Sequence, residues 1–111
     1  MSTRKTLIFK KEYKDAILSG RKTSTIRLRT DLKAGDEAYI VVGGTKLGIA
    51  KITAVNKKRL SDLSHRDAKR DGFANVRELI RALKKHYKDV RPWTEVSIIH
   101  FKLKRGRSEE S

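Results

Sequence analysis

The chain has 111 residues, of which 37% are hydrophobic and 37% charged, and its 28 Lys and Arg against 13 Asp and Glu leave a net charge of +15. That length suits one domain with a single core, and the absence of cysteine excludes disulfides, thiolate catalysis and cysteine-ligated zinc. No apolar run approaches the ~20 residues of a membrane span, and Met1-Ser2-Thr3-Arg4-Lys5 lacks the apolar stretch of a secretion signal. A cytoplasmic protein with no membrane partner is expected.

Leu7, Ile8 and Phe9 read as a first short strand. Residues 11–19 read as a helix with Tyr13, Ala16 and Ile17 on one face and Gly20 at the left-handed C-terminal cap. From Thr23 to Arg29 the period changes to two, so Ile26 and Leu28 point one way and Thr23, Thr25, Arg27 and Arg29 the other. Lys33-Ala34-Gly35-Asp36 is a turn, Ala38 to Val42 a buried strand, Gly43-Gly44 a hairpin turn and Leu47 to Val55 the returning strand. Leu60 to Arg70 reads as a short helix or helical turn that Asp71-Gly72 ends. Asn75 with Glu78 opens an amphipathic helix that carries Val76, Leu79, Ile80, Leu83 and Tyr87 on its apolar stripe. Arg91-Pro92 breaks it, and Trp93 to Leu103 returns to strand with Ile99, Phe101 and Leu103 on one face. This order predicts an α+β fold: a small mixed β-barrel with two or three inserted α-helices. The domain is expected over residues 1–104, followed by a flexible charged tail over 105–111.

The charge is unevenly spread. Residues 1–33 and 57–91 each carry net +7, whereas 34–56 are neutral. A polyanion is the expected partner, nucleic acid before anionic membrane. Gln is absent and Asn occurs only at 56 and 75, a composition expected of a thermophile. Heat adaptation accounts for many charges of both signs but not for the two-to-one positive excess.

Gly20-Arg21-Lys22-Thr23-Ser24-Thr25-Ile26-Arg27 is the densest candidate site. Lys22 sits at a helix-to-strand junction, and Thr25 and Arg27 share a strand face roughly 6–7 Å apart. An amine, a hydroxyl and a guanidinium converging there suit an anionic or polar heterocyclic ligand. An exposed strand face with a solvated Arg is the equal alternative on spacing alone.

The octet reads G-x-K-x-x-x-x-R and resembles the signature of the ASCH domain, a branch of the PUA-like β-barrel superfamily. The likeness extends from about Thr6 to Leu103. It takes in the strand with Phe9, the helix ending Ala16-Ile17-Leu18-Ser19-Gly20, the Lys33–Asp36 turn, both later helical stretches and the closing strand. The resemblance implies RNA binding, to single strands or structured RNA, in a cleft into which Lys22 and Arg27 point. With Gly20, Arg21, Thr23, Thr25 and Arg29, and the basic run Lys57-Lys58-Arg59, these form the expected nucleic-acid surface. Similarity to bacterial amidohydrolases that deacetylate N-acetylated cytidine implies a second reading. Lys22 and Thr25 match two of their catalytic residues in type and spacing, and Asp71 stands where they have Glu. Lys22 would then take the proton of Thr25, the nucleophile, while Asp71 donates a proton or positions water. Ribonuclease activity, as in other relatives, and a basic accessory subunit of an RNA-handling complex are further alternatives.

No cofactor or metal is expected. His65, His86 and His100 are too scattered for a ligand motif, and His100 is expected to face solvent or cap the barrel. Trp93 is read as core or rim packing in preference to a base-stacking platform. Tyr87 belongs to the apolar stripe of its helix. A monomer is assumed.

Overall fold

Alternation in the first strand and the turn chemistry after it set the frame. The structure, a computed structural model, describes residues 5–104. In β1 (Lys5–Phe9), Leu7 and Phe9 are buried while Thr6 and Ile8 are exposed. The expected single helix over 11–19 divides into a 3₁₀ turn, Lys11–Tyr13, and α1, Lys14–Leu18. Neither Lys10 nor Tyr13 supplies a side-chain cap. So short a helix persists because Ala16 and Ile17 are buried, not through its own propensity. Gly20 follows with φ +83°, a conformation that L side chains resist.

β2 (Ser24–Arg27) is shorter than the expected 23–29, because the chain bends at Leu28 and pairing with β5 stops at Arg27 opposite Ser97. β3 (Glu37–Val42) and β4 (Thr45–Arg59) form the hairpin, with φ positive at both Gly43 and Gly44 as a type I′ turn requires. Gly43 also donates its N–H to the Phe9 carbonyl at 3.0 Å, and a Cβ there would lie 2.6 Å from that of Lys11. β4 extends through Lys57-Lys58-Arg59, beyond the expected Val55, because β5 (Glu95–Leu103) pairs with it as far as Glu95 opposite Arg59.

Between these strands lie a 3₁₀ turn at Leu60–Asp62, α2 (His65–Arg70) and α3 (Val76–His86). Ser64 and Asp67 form a reciprocal capping box at the start of α2. At α3, Asn75 Oδ1 accepts from the Glu78 N–H at 2.9 Å.

The five strands run in the order β1-β3-β4-β5-β2, with β1 parallel to β3 and every other pair antiparallel. The first half of β4 pairs with β3 and the second with β5, and an irregularity between Ile52 and Ala54 turns it from one to the other. The sheet therefore curls into a half-barrel around Leu7, Phe9, Ile17, Ile40, Ile52, Ile99 and Phe101. On its outer face Ile26, Val96 and Ile98 pack beneath Leu79 and Leu83 of α3. β5 is thus apolar on both faces. The mixed α+β barrel expected from the element order is the architecture observed, left open between its edge strands β1 and β2.

Trp93 does not pack in the core; it is 69% exposed. The turn that holds it is fixed by backbone bonds instead: Thr94 N–H to the Arg91 carbonyl, Leu60 N–H to Thr94 and Ser61 N–H to Pro92. The indole has no part in them. The tail over 105–111 lies outside the described residues.

Candidate functional site

The open seam of the half-barrel is where the octet meets the rest of the chain. Lys22 follows the Gly20 turn and donates its backbone N–H to the Ala16 carbonyl at 2.9 Å. Thr23 donates to the Arg70 carbonyl at 2.8 Å, which fastens the start of β2 to the end of α2. That bond places Asp71, the C-cap of α2, directly against Lys22. Lys22 Nζ donates to the Asp71 carbonyl at 2.8 Å and to its carboxylate Oδ1. Both residues are 4% exposed. The ammonium also lies 5.0 Å from the Tyr13 ring centre and 5.7 Å from that of Phe9.

Arg27 bridges the seam. Its Nε donates to Thr25 Oγ1 at 3.1 Å, and its Nη2 donates to the carbonyl of Ile8 on β1 at 2.8 Å. An edge strand has carbonyls unpaired by any neighbouring strand. Here a side chain from the opposite edge takes one of them. The guanidinium carbon sits 5.1 Å from the Phe9 ring centre.

Around these groups is a recess of about 120 Å³. Lys22, Thr25, Arg27 and Asp71 form its polar side, with Phe9, Tyr13, Phe73 and Tyr87 among its aromatic walls. Burial is the dominant influence on its ionisation. It pushes the Asp71 carboxyl up to about 6, against the opposing pull of Lys22 and Arg27. It also lowers the Lys22 ammonium, with Asp71 opposing and Arg27 reinforcing the shift. Tyr13 is raised by burial and by the nearby carboxylates of Glu12 and Asp71. The two members of the ion pair are thus both displaced towards their neutral forms.

Of the expected site residues, Lys22, Thr25, Arg27 and Asp71 come together. Gly20 and Thr23 border a separate depression with Leu47 and Lys102, and Arg21 is exposed. Arg29 lines a groove with Lys57, Thr94 and Ser97. Lys58 lies on the opposite sheet face from Lys57 and pairs with Asp67 at 2.7 Å, while Arg59 is exposed at the end of β4. His100 is half-buried on the outer face, where burial and the cations Arg70 and Lys58 lower its pKa. Phe73, His86 and Tyr87 also line the recess, and sequence reasoning did not assign them there. Tyr87 carried only the signal of an apolar helical stripe, which is also what core packing produces.

An open half-barrel of this topology, with helices packed on the outer face of its sheet, defines a PUA-like α+β domain. The ASCH domain family model matches residues 5–105, and the chain belongs to that family. Among solved structures it is similar to a protein of Enterococcus faecalis, with 20% identity, a TM-score of 0.72, and 93% of this chain and 82% of that one covered. It is also similar to an ASCH domain from Lactobacillus crispatus, with 20% identity, a TM-score of 0.70 and coverages of 89% and 80%. An ASCH protein of Zymomonas mobilis matches with 19% identity, a TM-score of 0.62 and coverages of 89% and 70%. Among curated proteins none matches the chain. No helix among the described residues is long and apolar enough to cross a membrane.

Proposed function

We propose that the seam recess holds one nucleobase of an RNA, with Arg27 as its directional contact. The observation that carries this reading is the convergence of Lys22, Thr25, Arg27 and Asp71 on one recess with aromatic walls. Aromatic rings stack on any base, while a guanidinium, a hydroxyl and a carboxyl can match the donors and acceptors of its edge. The net charge of +15 and the family's general association with RNA support a polyanionic ligand.

Titration with single-stranded and duplex RNA and DNA, with residue-resolved NMR shifts, tests the reading. Neutralising about four phosphates of a single strand gives a slope of log K on log salt near −3. Arg27→Ala is expected to weaken binding about tenfold or more, since paired hydrogen bonds to a base edge or phosphate contribute roughly 1–3 kcal/mol. Arg27→Lys retains the charge but not the planar fork, and is expected to resemble Arg27→Ala. Equal losses at Arg27 and at the tail residue Arg107 would overturn the recess as the binding site.

A second reading, hydrolysis of N-acetylated cytidine, is favoured by Lys22, Thr25 and Asp71 lining the same recess. A proton passing from Lys22 to Asp71 would leave an amine and a carboxylic acid, the direction in which both are displaced. The amine would then take the Thr25 proton as Oγ1 attacks the acyl carbon. As the C–N bond breaks, the Asp71 acid would protonate the leaving nitrogen, and water would later release acetate from Thr25. In the resting structure Thr25 Oγ1 is bonded to Arg27 and Lys22 Nζ to Asp71, so the nucleophile and its base are not yet engaged. Slow or absent release of cytidine is expected. Turnover that survives Thr25→Val would rule out Thr25 as nucleophile.

A further inference from the structure

The sheet register places a second group of cations on the same sheet face as Thr25 and Arg27 of the recess. Thr25, Ile99 and Val55 stand side by side across β2, β5 and β4. Ile99 belongs to the inner core and Val55 packs against it, so this row faces the inside of the half-barrel. The next inward-facing row, two residues on, is Arg27, Ser97 and Lys57. Beyond it Arg59 stands opposite Glu95. Within two rows the inner face changes from apolar to cationic. Neighbouring strands lie about 4.8 Å apart, so the row from Arg27 to Lys57 spans about 10 Å of backbone, leading away from the recess.

An open groove of about 580 Å³ lies over this strip, lined by Arg29, Thr30, Lys57, Thr94, Glu95 and Ser97. Among the described residues Arg29, Lys57 and Arg59 make no ion pair. Lys58, between two of them in sequence, turns to the outer face and is neutralised by Asp67. The alternation of a single strand thus separates a structural lysine from its two unpaired neighbours.

We infer that this strip carries the phosphodiester backbone of a single-stranded RNA whose base occupies the recess. The ligand is then a residue within a polynucleotide and not a free nucleoside. The inference rests on the recess reading and extends it. A basic groove that tracks a backbone beside an aromatic pocket is the arrangement of single-strand binders, with sites of about four or more nucleotides. Ser97, buried between Arg27 and Lys57, keeps the strip free of bulk where the backbone crosses β5.

Cytidine and a single-stranded pentacytidylate RNA serve as probes, each titrated into the full chain by NMR. Wild type is expected to bind pentacytidylate at least tenfold more tightly than cytidine. The double variant Lys57→Ala, Arg59→Ala is expected to weaken pentacytidylate about tenfold and to leave cytidine unchanged. It should also make the salt slope shallower by about 1.4, the value for two phosphates on a single strand. Lys58→Ala is expected to change pentacytidylate affinity less. Lys57 and Arg59 are exposed and Lys58 half-buried, and the fold of each variant is checked from the same spectra. The strip is overturned if pentacytidylate gains nothing over cytidine, if Lys58→Ala matches the double variant, or if a duplex of equal length binds as tightly with the same dependence. The recess reading fails separately, if Arg27→Ala leaves the affinity for both probes unchanged.

Discussion

Asp67 and Asp71 lie four residues apart at α2, each buried and each facing a lysine, yet their ionisation moves in opposite directions. Burial raises both. At Asp67 it is outweighed by the Lys58 ammonium at 2.7 Å and by Ser64, whose backbone N–H donates at 2.9 Å, and the pKa falls. Asp71 has Lys22 as its hydrogen-bond donor, deeper in the molecule, and burial prevails. The two carboxylates differ in the number of donors on the ionised form, set against its depth. The capping box holds Asp67 as an anion. The recess shifts Asp71 towards its acid form without making it neutral at pH 7.

Removing a lysine from each pair breaks this comparison most sharply. Lys22→Ala leaves Asp71 buried without its partner and is expected to lower stability by about 3–5 kcal/mol in chemical denaturation. The double change Lys22→Met with Asp71→Leu is expected to recover most of that loss, since an apolar pair avoids the desolvation of two charges. If the double variant is no better than Lys22→Ala, the loss is one of packing and not of an unpaired charge.

The pH dependence of stability separates the two carboxylates by sign. Asp71 is raised in the fold, so its contribution is complete below the usual 3.8 and is lost as pH rises through about 6. Wild type is therefore expected to lose stability relative to Asp71→Asn between about pH 4 and 6. Asp67 is lowered, so its contribution is present above 3.8 and is lost as pH falls through its folded value. Relative to Asp67→Asn, wild type is expected to lose stability on acidification below that point. Two slopes of the same sign in urea titrations would show that the sites do not differ as described.

Smaller effects sharpen the structural side. Ser64→Ala removes one half of the capping box and is expected to cost about 1 kcal/mol. Lys58→Ala, whose side chain is 36% exposed, is expected to cost at most about 1 kcal/mol, less in high salt. A larger loss would mean that Lys58 anchors α2 to the sheet rather than merely screening Asp67.

Much of this comparison was legible along the chain, and part of it was not. The Gly20–Arg27 octet singled out Lys22, Thr25 and Arg27, and period two put Thr25 and Arg27 on one face, as found. Resemblance to ASCH relatives brought in Asp71. The capping box at Ser64 and Asp67 is a Ser-x-x-Asp pattern, local and so legible in the chain. Trp93 departs from the expected packing because the turn that carries it is held by backbone bonds and by Thr94 Oγ1, which accepts from the Arg91 N–H at 2.8 Å, and not by the indole.

By itself the sequence determined the order of strands and helices, the turns at Gly20 and Gly43-Gly44, and which side chains of β2 share a face. These follow from periodicity and backbone freedom, properties of neighbouring residues. Tertiary structure decided the rest: the open seam between β1 and β2, the Arg27 link across it to Ile8, and the meeting of Lys22 with Asp71, 49 residues away. It also decided that Lys57 and Lys58 face opposite ways to different ends, and that Asp67 is held ionised while Asp71 is driven towards its acid form. The physical reason is that desolvation and charge pairing depend on what surrounds a group in space. Local pattern carries none of that until the sheet has curled.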